Sequence, residues 1–223
     1  MKFTLSVLLM FQLFAVSAQQ VQIDSLIKQA ENASGEEKIM LLSDISYYSS
    51  FNDPELSETY ARKCLETAKS FGDSLLIAEA YNALAIAQYA QSDYQNSLES
   101  NLAALEIRLQ HGDDYSLLSS YSKVGNCHHE LGNFDEALKY YLMSLKIAEK
   151  NDLVQQQGLL ANNIAEIFMQ QEEETKAREY YQIAIDIAQS TKDTLGWSKA
   201  LTNLKKKKKN SSNFELAESL YQR

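Results

Sequence analysis

The chain reads as all-α, an array of antiparallel helix pairs, and three observations carry that reading. Pro54, Tyr94, Phe134, Glu174 and Phe214 superimpose at a forty-residue offset, each followed three positions on by Ser57, Ser97, Ala137, Ala177 and Ala217. Turn pairs recur at nearly the same spacing: Gly72-Asp73, Gly112-Asp113, Asn151-Asp152 and Lys192-Asp193 each end one amphipathic segment and cap the next. A second set, Asn52-Asp53, Ser92-Asp93 and Gly132-Asn133, bisects those units, so each unit holds two helices. Finally, nothing alternates like a strand, and the 223 residues include a single Pro and 7 Gly. Stacked units of this kind bury a core only against their neighbours and present a long groove, so the period points to binding.

Taken in order, Met1-Lys2, the apolar run from Phe3 to Val16 and Val16-Ser17-Ala18 before Gln19 predict a cleavable secretory signal over residues 1–18. The run is shorter than the roughly 20 apolar residues a bilayer span needs, and no Cys follows the site to take a lipid. Residues 19–35 hold one amphipathic helix, marked by Val21, Ile23, Leu26, Ile27 and Ala30, placed to cover the open end of the stack. The repeats then occupy 36–73, 74–113, 114–152, 153–193 and an incomplete 194–223. Leu98, Leu102, Leu105 and Leu109 form a helical stripe in the second of them, as do Leu138, Leu142, Leu145 and Ala148 in the third. Pro54 opens the second helix of the first unit, at a position where its missing N–H costs nothing.

The third unit is the clearest. Gly125 and Ala137 sit where its helices cross, where a larger side chain would force them apart, and Tyr121 and Tyr141 fill the space around that contact. The same slots hold Tyr81, Leu84, Ala85 and Ser97 in the second unit, and Ala161, Ile164, Ala165, Phe168, Ala177 and Tyr181 in the fourth. The first unit departs, with Ile45 where Gly125 stands. Tyr121, Val124, Gly125, His128, Gly132, Phe134, Ala137, Tyr141 and Ser144 together resemble the tetratricopeptide repeat, and the resemblance covers residues 36–223. It implies a right-handed superhelix, an α-solenoid. The unit exceeds the usual 34 residues of that family, which implies longer helices. Asp24-Ser25-Leu26, Asn52-Asp53-Pro54 and Phe71-Gly72-Asp73-Ser74 resemble, more narrowly, the exported tetratricopeptide region of Bacteroidetes-type sensor and regulator proteins. In those proteins the repeats precede a membrane helix and a cytoplasmic histidine kinase or DNA-binding output domain.

The fifth unit is anomalous. Leu201, Leu204, Phe214 and Ala217 keep the register, yet Lys205 to Lys209 stand where the third unit has Gly125 to His129, and the chain stops at Arg223, half way along the helix that Phe214 begins. Like-charge pairs three or four apart oppose helix packing by about 0.2–0.5 kcal/mol each. Three readings are open: an altered reading frame at an adenine-rich tract, a solvated terminal helix, or a basic docking patch. Phe214, Leu220 and Tyr221 would lack their expected cover, which invites self-association.

Net charge is −9, with 30 acidic against 21 basic residues, and removal of the signal takes away Lys2 and no acid. Such a surface repels nucleic acid and anionic membranes. Cys64 and Cys127 lie in different repeats and read as small buried hydrophobes. His128-His129-Glu130 lacks the i, i+4 spacing of a zinc helix, so His128 is expected to pack as an aromatic and His129 to face the groove. With no phosphate loop, nucleophile elbow or carboxylate pair in a cleft, no enzyme, cofactor or metal is expected. Asp53, Asp73, Asp93 and Asp113 read as helix caps.

In tetratricopeptide proteins the first helix of each pair lines the concave face. The resemblance therefore places Glu79, Asn82 and Ala83, then Ser119, Ser122, Lys123, Asn126 and His129, then Leu159, Asn162, Asn163, Glu166 and Met169 on the groove. Asn side chains both donate and accept, so Asn82, Asn126, Asn162 and Asn163 suit the backbone of an extended peptide. The expectation is an exported, non-enzymatic scaffold for a protein or peptide segment; the alternative is the sensory input region of a membrane signalling protein.

Overall fold

A computed structural model describes residues 19–206, with side chains to Asn203. Residues 1–18, Lys207 to Arg223 and the side chains of Leu204, Lys205 and Lys206 lie outside the described residues, and with them the expected signal, the lysine tract and the apolar end at Phe214, Leu220 and Tyr221. Every described element is a helix: α1 (19–32), α2 (Gly35–Ser49), α3 (Pro54–Phe71), α4 (Ser74–Ala90), α5 (Tyr94–His111), α6 (Asp114–Glu130), α7 (Phe134–Lys150), α8 (Val154–Gln170), α9 (Glu174–Ser190) and α10 (Thr194–Lys206). The helices fall into two compact units, one ending at Gly112 and one beginning at Asp113.

The helix starts follow from the aspartates. Asp53, Asp73, Asp93 and Asp113 accept the backbone N–H three residues on, from Leu56, Leu76, Asn96 and Ser116 at 3.0, 3.0, 3.3 and 2.7 Å, and Asp193 does the same for Gly196 at 2.9 Å. Each such cap is worth about 1 kcal/mol. Five helix ends share one geometry. Ser92, Gly132, Asp152, Glu172 and Lys192 have positive φ. The N–H of the following residue then reaches back to Gln88, His128, Ala148, Phe168 and Ala188 carbonyls at 2.8–2.9 Å. This is the Schellman closure, for which glycine is the easy residue, yet four of these five positions carry a side chain.

One buried seam repeats on every second helix: Ser57, Ala61, Cys64 and Ala68 on α3; Ser97, Asn101, Ala104 and Arg108 on α5; Ala137, Tyr141, Ser144 and Ala148 on α7; Ala177, Tyr181, Ala184 and Ala188 on α9. The seam is mostly small because the paired helices approach closely along it. The leucine stripes expected from the sequence sit one position further round. Leu98 and Leu105 are buried, but Leu102, Leu109 and Leu142 are 37%, 58% and 41% exposed; they flank the seam rather than fill it.

At the crossing in the second unit, a Cβ added to Gly125 would stand 2.8 Å from two ring carbons of Tyr141 and 3.4 Å from the Ala137 carbonyl oxygen. That is closer than packed atoms allow. The first unit gathers Ile39, Leu42 and Ile45 with Ile23 and Ala30 of α1, and Gln19 of α1 donates to the Tyr48 carbonyl at 2.6 Å. The core of the second unit centres on Ile164, Ile167, Phe168 and Ile185. Each such aliphatic side chain contributes roughly 1.5–3 kcal/mol on burial. Cys64 and Cys127 are both buried, and no disulfide joins them. The Cys64 thiol donates to the Ile39 carbonyl at 3.3 Å, and burial, with the Glu79 charge second, pushes its pKa up to about 12.

Candidate functional site

The second unit contributes three first helices, α6, α8 and α10, and amide and carboxylate side chains of α8 and α10 make one network. Asn162 and Glu166 are four residues apart on α8 and so share a face. The Asn162 amide donates to Glu166 Oε1 at 3.0 Å, and the amide of Asn203, from α10, donates to the same oxygen. Asn203 also reaches Asn162 Oδ1 at 3.4 Å, and Asn162 reaches Asn163 Oδ1 at 3.5 Å. On α6, Asn126 Oδ1 accepts the Tyr141 hydroxyl at 2.8 Å, which orients its amide.

A concavity of about 390 Å³ opens beside Glu166, lined also by His129, Met169, Tyr181, Lys199 and Asn203. Its size lies within the usual range for a site taking a few side chains. Tyr181 is nearly fully buried. Burial first, and the Glu166 charge second, raise its phenol pKa above the ordinary tyrosine value, so it stays protonated. The chemistry on offer is therefore hydrogen bonding and one oriented carboxylate, with no nucleophile paired to a base. Among the described residues, no three His, Cys, Asp or Glu side chains gather to hold a metal.

The other sequence-read positions distribute as follows. Asn163, Ser119, Ser122 and Lys123 are half-buried, whereas Asn162 is 5% exposed, its amide already engaged by Glu166. Asn82 is half-buried on α4 in the first unit, and Glu79 of the same helix is 2.6 Å from the Arg108 guanidinium. Ala85, Tyr121, Gly125, Ala137, Tyr141, Ala165, Ala177 and Tyr181 are buried; Tyr81 is half-buried, with the Lys69 ammonium 5.1 Å from its ring centre. His128 lies flat on Tyr140, rings 5.5 Å apart and 10° from parallel. Asn203 and Lys199 escape the sequence reading, although Asn203 stands forty residues after Asn163 and Lys199 forty after Leu159. The register that found the one pair also finds the other.

Residues 76–150 match the tetratricopeptide repeat family model. Those residues carry tetratricopeptide repeats. Two curated relatives are similar over part of the chain. The chain is 24% identical over 131 residues to the chloroplastic protein FLUORESCENT IN BLUE LIGHT of Arabidopsis thaliana, covering 57% of this chain and 42% of that one. It is 30% identical over 128 residues to tetratricopeptide repeat protein 29 of Homo sapiens, covering 56% and 26%. The chain thus spans less than half the length of either. Among solved structures, a Rap protein complexed with competence and sporulation factor superimposes with a TM-score of 0.75 at 21% identity, over 93% of this chain and 61% of that one. A Pyrococcus horikoshii signal-transduction ATPase with a tetratricopeptide repeat sensor gives 0.78 at 20%, over 93% and 33%. BtubC from P. vanneervenii gives 0.75 at 17%, over 93% and 87%. At such identities the likeness speaks for the fold, an all-helical α-solenoid of tetratricopeptide type. Repeats of this kind are a protein-binding scaffold and generally non-catalytic. No helix among the described residues is long and apolar enough to cross a membrane.

Proposed function

We propose that the chain is an exported, non-enzymatic scaffold that binds a protein or peptide segment in the groove lined by its first helices, outside the cytoplasm. One observation carries the binding reading: the amides of Asn162 and Asn203, from α8 and α10, converge on Glu166, which with Asn203 lines an open concavity, while Asn126 on α6 and Asn163 on α8 stay half-buried on the same set of first helices. Amides in a row match the alternating donors and acceptors of an extended backbone. Export rests on the signal-like residues 1–18.

The binding test is a selection from a displayed random dodecamer library against the mature chain. Fluorescence anisotropy on one synthetic winner then compares the parent with Asn126→Ala and Asn163→Ala. Weaker binding at unchanged helicity supports the groove; unchanged affinity in both removes it. For export, fusion of residues 1–40 to an alkaline phosphatase lacking its own signal should give activity outside the cytoplasm, and an inactive fusion rejects the location.

A second reading, sensory input to a signalling output, has two supports. They are the sequence likeness at Asp24 to Leu26, Asn52 to Pro54 and Phe71 to Ser74, and the solved neighbour whose repeats are described as a sensor. There, peptide binding would alter the stack and so its output. A gene whose frame runs past Arg223 into a membrane span and output domain favours it.

A further inference from the structure

Within the proposed groove, Glu166 stands out because its charge is held rather than hidden. Both amide donors, from Asn162 and Asn203, converge on Oε1. Oε2 has no hydrogen-bond or ion-pair partner among the described residues, while the residue is only half-buried and lines the concavity. Asn162, one of the two donors, is itself almost fully buried. A carboxylate satisfied on one oxygen and turned to an open, part-desolvated space calls for a cation on the other. No lysine or arginine of the described residues pairs with it. Lys199 lines the same concavity and makes no ion pair among the described residues.

Apolar surface lies two turns away on the same helix. Leu159 is 53% exposed, seven residues before Glu166 and hence on the same face. That separation is about 10 Å at 1.5 Å per residue, which an extended peptide covers in about three residues at 3.3 Å each.

We propose that the bound segment places a lysine or arginine side chain on Glu166 and an apolar side chain on Leu159, the two about three residues apart in an extended strand. The proposal rests on the groove reading above and names its occupant's chemistry. Asn162 and Asn203 act as positioning residues that aim the carboxylate, and Tyr181, protonated and buried, closes the wall beside it.

The test runs the dodecamer selection in parallel on the parent chain and on Glu166→Gln, which keeps an acceptor for both amides while removing the charge. Parent winners should carry Lys or Arg at one aligned position, with an apolar residue about three places away, and the basic preference should vanish with Glu166→Gln. A synthetic winner should bind Glu166→Gln about tenfold more weakly. Replacing its basic residue by norleucine should cost the parent as much, and cost Glu166→Gln little further. Winners without a basic position, or an unchanged preference in Glu166→Gln, overturn the cation while leaving the groove reading intact. A library that yields no winners overturns both. Should Glu166→Gln lose helicity, the norleucine peptide on the parent decides alone: equal affinity rejects the proposal.

Discussion

Gly125 in the third repeat, within the second unit, and Ile45 in the first repeat, within the first unit, hold the same place, and the two repeats solve one packing problem in opposite ways. Sixteen residues on, Gly125 faces Tyr141, whose ring leaves no room for a Cβ, whereas the position matching Tyr141 in the first unit is Ala61. Ile45 and Ala61 are both fully buried, as is Tyr141. One crossing is filled from the second helix by a ring; at the matching register positions of the other, the large side chain is the aliphatic one on the first helix. Ile45 looks like decay of the repeat when read alone; beside Ala61 it is the other half of a size exchange.

The largest expected effect comes from breaking that exchange. Gly125→Ile should destabilise the second unit by about 3 kcal/mol or more, since overpacking against an aromatic ring and backbone has no cheap relief. Tyr141→Ala should cost about 3–5 kcal/mol through the cavity it leaves. The double variant, which copies the Ile45 and Ala61 pair, should recover much of both losses. Thermal denaturation of the four proteins gives the cycle, and strict additivity would show that the two crossings are not equivalent.

A smaller contrast lies at the start of the seam. The Ser57 hydroxyl donates to the Ser46 carbonyl at 2.7 Å and lies 3.2 Å from the Ser46 hydroxyl; Ser97 donates to the Ala85 carbonyl at 2.8 Å. In the second unit Ala137 and Ala177 fill these places with a methyl. The requirement is small size, and a hydroxyl is tolerated where a carbonyl receives it. Ser57→Ala should cost about 1 kcal/mol, because it also strips a partner from the buried Ser46 hydroxyl. Ser46→Ala made with it should restore part of that, as seen in urea midpoints.

How much of this was legible in the sequence follows from the same residues. The period, the helix pairs, the aspartate caps and the Gly125 crossing all appear as local spacing, because capping and close approach each demand particular residue types. The seam was harder: leucines dominate the apolar pattern, yet at the crossings they are too large, and they flank it. Polar members of the seam, Asn101 and Arg108, carry no sequence signal of burial, since only the fold brings Glu79 to Arg108. In the candidate site, Asn162 and Glu166 could be placed on one face from their spacing. Their joint hold on Asn203 depends on how α10 lies against α8, which periodicity alone does not state.

The turns offer the next smaller effect. Gly132 adopts φ of 75° freely, but Glu172 and Lys192 reach 63° and 57° with side chains attached. Left-handed backbone costs an ordinary L-residue roughly 1–2 kcal/mol, and glycine returns part of this as unfolded-state entropy. Glu172→Gly and Lys192→Gly should each stabilise the second unit by about 0.5–1 kcal/mol, and Gly132→Ala should destabilise it similarly. A lower melting temperature for either glycine variant would mean the side chain contributes something the turn geometry does not reveal.

The smallest expected effect concerns His128, which separates the second unit from the first by its titration. Its Nδ1 is buried without a hydrogen-bond partner, and desolvation, the leading cause, lowers its pKa below the ordinary histidine value; Glu136 pulls it up and Lys139 pushes it down. A folded pKa below the unfolded one means that, between the two, the unfolded chain binds more protons, so stability rises with pH there. The contribution is complete above the unfolded value of about 6.5 and is lost as pH falls from there toward the folded value. His128→Phe keeps a ring against Tyr140 and removes the titration. From about pH 7.5 down to 5.5, a window above most carboxylate titrations, the parent's melting temperature should fall slightly more than the variant's. Parallel curves would mean that water reaches Nδ1 and that the ring takes its proton in place, without cost to the stack on Tyr140.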